Sequence, residues 1–188
     1  MREARCLFGM CEMEGELFVT GGKGAGDTTL ATVERYTVST DTWSAVAAMP
    51  AARFQHCACA VGGSMLVLGG AGASNTVLSS VLKYGNGADT WSEVAPMPEA
   101  RFAFGACVVG SDVYVIGGAA GLTSNTAVAS VYRYDTVQNE WSSLPPMPEA
   151  RYGCSACVLD GMVFVMGGRS ASDTPCSGST LRPARGAR

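Results

Sequence analysis

The chain has 188 residues, a formal net charge of −3 at pH 7, and 15 % charged against 47 % hydrophobic side chains. An acidic balance without a basic field argues against nucleic acid as a partner, and no apolar run approaches the roughly 20 residues of a membrane-spanning helix. The apolar stretch from Cys6 to Cys11 is too short for a signal peptide and is cut by Glu12, so the expected setting is intracellular, cytoplasmic with the nucleus left open.

Glycine pairs recur at Gly21-Gly22, Gly69-Gly70, Gly117-Gly118 and Gly167-Gly168, in steps of 48, 48 and 50 residues. Tyr36, Tyr84 and Tyr134 are each followed seven residues later by Trp43, Trp91 and Trp141. Each tryptophan precedes a Met-Pro-x-Ala-Arg phrase, at Met49 to Arg53, Met97 to Arg101 and Met147 to Arg151, and the first five residues are a degraded copy of it. A period near 50 overrides a one-domain prior, because the repeat is the folding unit. The predicted units are 1–50, 51–98 and 99–148, a partial fourth over 149–168 with two inner strands, and a tail over 169–188.

Each unit reads as four short strands. After the arginine, Phe54 to Val61 and Phe102 to Val109 are apolar runs of strand length, expected to be inner strands buried on both faces. Gly62-Gly63-Ser64 or Gly110-Ser111-Asp112 turns the chain, and Met65 to Leu68, Val113 to Ile116 or Met162 to Met166 follows as the second strand. The glycine pair ends it, where the backbone bends or approaches a neighbour too closely for a side chain. A polar loop leads to a third strand at Ser80 to Tyr84 or Ser130 to Tyr134, and Trp91 to Val94 or Trp141 to Leu144 is the outer one. The two additional residues of the third unit lie in that polar loop, which marks an exposed face of the kind repeat proteins bind with.

Gly-Gly, tyrosine, tryptophan seven residues on, then Met-Pro-x-x-Arg resembles the kelch repeat over residues 1 to about 168. The acidic residue that usually follows the tyrosine is present as Asp135 alone, with Thr37 and Gly85 elsewhere. In the fourth unit the tyrosine position holds Arg182 or Ala184, and the tryptophan position lies past Arg188. The resemblance implies an all-β fold of kelch-type β-propeller blades, four-stranded antiparallel sheets, in a partial or open propeller. Three and a half units fit a fragment, a truncated gene product, or one part of an oligomeric ring of about seven blades formed by two chains. The tail from Arg169 to Arg188 is expected to be disordered and basic.

Four cysteines, Cys11, Cys59, Cys107 and Cys157, share one repeat column and read as small buried hydrophobes too far apart to bridge. Cys154-Ser-Ala-Cys157 has redox or metal spacing but lies inside a predicted strand that sends alternate residues to opposite faces. His56 is the only histidine, and neither carboxylate nor serine pairs with it by spacing. No cofactor or metal is expected, the glycine pairs lack the context of phosphate-binding loops, and no enzymatic activity is expected. The tyrosines and tryptophans are expected to be wedges between blades, with indole N–H and phenol O–H reaching loop carbonyls. The arginine column, Arg5, Arg53, Arg101 and Arg151, carries two readings: structural donors to loop carbonyls, or a ring of donors for an acidic peptide.

What the resemblance implies for function is a protein-binding module, since kelch proteins include substrate-recruiting adaptors for ubiquitin ligases, actin-associated proteins and scaffolds. The predicted partner-binding residues are Arg53, Gln55, His56, Asn75, Arg101, Phe104, Asn125 and Arg151, with Asp27, Thr28, Ser74, Ser124, Phe54 and Phe102 beside them. The partner is expected to be a protein or peptide, with self-association through open blade edges as a further expectation. The alternatives are a small-molecule enzyme of propeller type, epimerase- or lyase-like, and a truncated copy without independent function.

Overall fold

In the computed structural model, residues 1–122 and 126–170 are described in full and residues 179–181 by their backbone. The described residues form β-strands joined by turns and two three-residue 3-10 segments, and no helix among them is long and apolar enough to cross a membrane. The chain divides into two compact units, Met1–Phe102 and Ala103–Arg188.

The first unit holds two four-stranded antiparallel sheets. In one, β1 (Gly9–Met13), β2 (Glu16–Thr20), β3 (Val33–Thr37) and β4 (Thr42–Val46) lie side by side in chain order. Next comes the two-residue strand β5 (Arg53–Phe54). The second sheet is built from β6 (Cys57–Val61), β7 (Ser64–Leu68), β9 (Val81–Gly85) and β10 (Thr90–Val94), while β5 pairs with β8 (Ala71–Gly72). In the second unit, β11 (Gly105–Val109), β12 (Asp112–Ile116), β13 (Val131–Asp135) and β14 (Glu140–Leu144) repeat the pattern. A further sheet joins β15 (Tyr152–Leu159), β16 (Met162–Arg169) and β17 (Ser179–Leu181). These are the four-stranded antiparallel blades that the repeat pattern and its resemblance led us to expect.

Three expectations need correction. The inner strands begin later than Phe54 and Phe102, at Cys57 and Gly105, because Gln55 and Ala103 adopt left-handed backbone (φ 50° and 52°) that interrupts the pleat. The fourth sheet has three strands rather than two, since Ser179–Leu181 pairs antiparallel with Val163–Val165. That pairing, and the inclusion of Arg169 in β16, also amends the expected disorder of the tail; residues 171–178 and 182–188 lie outside the described residues.

Local chemistry explains the hairpins. Glu14-Gly15, Gly62-Gly63 and Asp160-Gly161 each carry positive φ at both central turn positions, the I′ geometry whose twist matches the flanking strands. On the outer hairpins, four-residue loops place each tyrosine directly opposite its tryptophan: Tyr36↔Trp43, Tyr84↔Trp91 and Tyr134↔Trp141. The ring centroids lie 5.1, 5.0 and 4.8 Å apart, contacts that contribute about 0.5–1.5 kcal/mol each beyond burial. The last loop residue, Asp41, Asp89 or Asn139, is left-handed (φ 53°, 48° and 57°) and accepts the tyrosine hydroxyl at 2.7, 2.7 and 2.6 Å. Thus the phenols bond side chains rather than the loop carbonyls expected.

Sheet packs on sheet within each unit. In the first, Met13, Phe18, Val33 and Met49 meet Met65, Val67, Leu82 and Tyr84. Trp91 crosses that seam, its indole N–H donating to the Ala47 carbonyl at 2.8 Å, while the Ala47 N–H donates to Asp89 at 2.8 Å. In the second unit Cys107, Tyr114, Ile116, Val131 and Met147 pack with Cys154, Val163 and Val165. Burial of this apolar surface, worth about 25 cal/mol per Å², is the main stabilising term.

Candidate functional site

The arginine column is the frame of the loop face. In the first sheet, Arg5 Nη1 donates to the carbonyls of Gly21 and Thr32, both at 3.0 Å. In the second, Arg53 Nη1 donates to Gly69 at 3.0 Å and to Ser80 at 3.4 Å, with Nη2 on the Ser80 hydroxyl at 3.2 Å. Arg151 repeats the bond to Gly167 at 3.0 Å, and Arg101 is ion-paired to Glu99 at 2.7 Å. Arg53, Arg101 and Arg151 are all buried; burial lowers the Arg53 pKa to about 10, against the raising influence of Glu93. Of the two roles weighed for the column, these bonds are the structural one. Because the three guanidinium groups are buried, they do not form an open ring of donors.

The first three glycine pairs are each explained by the arginine that follows them. The second glycine donates its N–H to that arginine's carbonyl: Gly22 to Arg53 at 2.8 Å, Gly70 to Arg101 at 2.9 Å and Gly118 to Arg151 at 2.8 Å. The first glycine leaves no room for a side chain, since a Cβ on Gly21, Gly69 or Gly117 would lie 2.5, 2.7 or 2.6 Å from the same carbonyl. At Gly167 no described residue stands within 4 Å of such a Cβ.

Two residues past each arginine the backbone turns left-handed: Leu7 (φ 55°), Gln55 (50°), Ala103 (52°) and Gly153 (65°). Within each unit these bulges are tied to one another, Gln55 N–H to the Leu7 carbonyl at 2.8 Å and Gly153 N–H to the Ala103 carbonyl at 2.6 Å. Leu7 is 47 % exposed, Gln55 and Ala103 are half-buried and Gly153 is exposed. Nothing in the sequence announces this column, because a glycine occupies it once and Leu, Gln and Ala read as the continuation of a strand.

His56, next along the chain, is buried rather than presented to solvent. Its Nε2 lies 2.7 Å from Thr20 Oγ1, which is also 3.3 Å from the Gly9 carbonyl. With the Thr20 hydroxyl donating to Gly9, the neutral ring gives its Nε2 proton to Thr20, and Nδ1 finds no partner among the described residues. Burial, reinforced by the nearby Arg53 charge, lowers the histidine pKa to about 3, with the Thr20 bond opposing. A neutral imidazole walled off from solvent does not exchange protons with a substrate. Phe104 is likewise buried.

The exposed remainder of the loop face is polar. Asn75 sits left-handed (φ 55°) at the tip of the turn after β8, its N–H on the Gly72 carbonyl at 3.0 Å, with Ser74 exposed beside it. In the preceding loop Asp27 pairs with Lys23 at 3.3 Å, Thr28 Oγ1 donates to Ala25 at 3.0 Å, and the Lys23 ammonium lies 4.4 Å from the Phe54 ring centroid. That contact covers Phe54, and Phe102 is buried. Ser124 and Asn125 lie outside the described residues. So Gln55, Asn75, Ser74, Asp27 and Thr28 share the accessible loops, whereas Arg53, His56, Phe54, Phe102, Arg101, Phe104 and Arg151 are taken up by the fold. Among the described residues no three His, Cys, Asp or Glu side chains gather as a metal site. The cysteine column is split: Cys59 and Cys107 are buried, Cys11 is half-buried, and Cys157 is exposed. Desolvation pushes the Cys11 and Cys107 thiols up to about 12, helped by Glu12 and Cys157 respectively.

Residues 2–168 match the family model described as the KLHDC2/KLHL20/DRC7 Kelch-repeats domain. A 57-residue segment is 47 % identical to human Kelch-like protein 34, covering 30 % of this chain and 9 % of that relative. The chain belongs to the kelch-repeat family, and it spans less than a tenth of the curated relative it matches.

Proposed function

Starting from a kelch-repeat chain, we propose that it is a non-catalytic protein-interaction module, a scaffold or substrate-recognition surface, with repeats at 1–50, 51–98 and 99–148 and a partial one at 149–168. Its partner is a protein or peptide bound on the loop face. The observation that carries this proposal is the left-handed column. Leu7, Gln55 and Ala103 hold a conformation that costs an L-residue about 1–2 kcal/mol, and an unfavourable backbone retained at several equivalent, solvent-reaching positions marks a surface kept for function. Leu7 offers an apolar contact, while Gln55 and Asn75 offer amides that satisfy a peptide backbone from both its N–H and C=O sides. The absence of charge among these three favours a neutral or apolar segment over an acidic one.

A displayed-peptide selection against the purified chain tests the site. Selected peptides are expected to lose at least tenfold in affinity with Leu7→Gly, Gln55→Gly and Asn75→Ala, while the melts of the first two variants rise or hold. Peptides that bind all three variants as well as the parent would remove the loop face as the site. Buried, neutral His56 is the reason no enzymatic role is proposed.

A further inference from the structure

Successive residues of a strand face opposite sides of a sheet, so each sheet here has two faces with distinct histories. The column Cys11, Cys59, Cys107 and Cys157 lies on one of them, together with Met13, Val61, Val109 and Leu159, and with Phe18, Leu66, Tyr114 and Phe164. In the first sheet this face packs on Met65 and Leu82 of the second, and in the third it packs on Val163 and Val165 of the fourth. In the fourth sheet no described residue covers the same face: Leu159 is 60 % and Met166 51 % exposed, and Cys157 is exposed between them.

Composition on this face runs against exposure. Where the covered sheets tolerate Glu16, Ser64 and Asp112, the uncovered one has Met162; where the first has Thr20, it has Met166. Its β15 and β16 residues are Ser155, Cys157, Leu159, Met162, Phe164 and Met166, without a charge. A contiguous apolar patch marks an interaction surface.

The opposite face of the first sheet is built the other way. Glu34 stands where the second and third sheets have Leu82 and Tyr132, and Glu12 where they have Ala60 and Val108. Glu34 is 4 % exposed. Its carboxylate takes the Arg2 N–H at 2.6 Å, the Glu3 N–H at 3.3 Å and Arg5 Nη2 at 2.7 Å. Burial works against ionisation there, yet these donors hold the carboxyl below its usual range. Residues 2–5 are thereby latched over the position a preceding sheet would need. Docking an apolar face here would leave Glu12 desolvated and require the latch to open, so this face does not complement an apolar one in charge.

We propose that the uncovered face of β15 and β16 binds its own equivalent in a second copy of this chain, giving an isologous two-fold dimer through Leu159, Phe164 and Met166 rather than a head-to-tail ring. A charge-free face is self-complementary by the same reasoning that bars the Glu34 end. Self-association was expected from the open edges; the structure assigns it to a face and an orientation. It is independent of peptide binding on the loop face.

Light scattering across a concentration series tests it, using Leu159→Lys and Met166→Lys on the proposed face and Met10→Lys, 58 % exposed in the parent, on the Glu34 face. The parent and Met10→Lys are expected to reach twice the chain mass, and the two face variants to stay at half that value with unchanged melts. In a Cys6→Ser, Cys176→Ser background, a short bis-maleimide should join two copies through Cys157 and fail once Cys157→Ser is added. A parent that is monomeric at every concentration, a dimer abolished by Met10→Lys, or a ladder of higher oligomers would each overturn the proposal.

Discussion

Removing the imidazole of His56 should flatten the acid limb of the stability profile. The histidine is neutral when folded, with a pKa near 3, against an ordinary value of 6.5. A depressed cation pKa means that the unfolded chain takes up a proton the folded chain refuses. Stability is therefore full above pH 6.5 and falls as the pH drops through that value towards the folded pKa. Between pH 7 and pH 5 the difference amounts to about 2 kcal/mol, from roughly 1.4 kcal/mol for each pH unit traversed below 6.5. Urea unfolding of the unit Met1–Phe102 within the whole chain, followed by Trp fluorescence at pH 7 and pH 5, reads this directly. His56→Gln keeps a donor for Thr20 and removes the titration. The parent should lose about 2 kcal/mol more than the variant on acidification. Parallel losses, or an NMR titration of the His56 Cε1–H with a midpoint above pH 5, would refute the account of the ring as sealed and uncharged.

Other substitutions separate close approach from conformation. Gly69→Ala places a methyl 2.6 Å from Met97 Cε and 2.7 Å from the Arg101 carbonyl at φ 53°, whereas Gly62→Ala at φ 57° meets open space; in urea melts the first should cost several-fold more than the roughly 1 kcal/mol of the second. Arg53→Lys keeps the charge but loses the fork that spans Gly69 and Ser80, an expected loss of about 2 kcal/mol by the same assay. Trp91→Phe removes the bond to Ala47 while preserving the ring contact with Tyr84, and about 1 kcal/mol should disappear from the melt of the first unit. Gln55→Gly should raise stability by about 1 kcal/mol, because glycine adopts its φ without strain.

Periodicity alone suggested the repeat units, and the glycine-tyrosine-tryptophan order, through its family resemblance, led to the blade. The seven-residue interval was legible because it is a hairpin register, and the glycine pairs because the close approach of a carbonyl excludes every other residue. The interrupted inner strand was not legible: Gln55 and Ala103 have side chains compatible with a strand, and their conformation is imposed by tertiary bonds such as that from Gln55 to Leu7. Residue type misled at His56 and left two readings open for the arginines, where polar chemistry suggests a surface but geometry buries the group against carbonyls or a threonine. Glu34 offered a signal that went unused, a carboxylate in a column otherwise held by Leu82 and Tyr132. Its meaning depends on Arg2 and Glu3 folding back across 32 and 31 residues, a distance no local pattern encodes.

Arg53 and Arg151 each have their two ends in different sheets. The Arg53 guanidinium grips Gly69 and Ser80 of its own sheet, while its carbonyl receives the Gly22 N–H of the sheet before; Arg151 spans Gly167 and Gly118 in the same manner. Under a pulling force such a residue is a rivet in the load path. Peeling one sheet from its neighbour shears the carbonyl bond while the buried fork holds the rivet in place. Tension applied through the chain between Gly22 and Arg53 should then end in one abrupt rupture instead of a gradual unzipping, and Arg53→Lys should lower that rupture force because the anchor, not the seam, has been loosened.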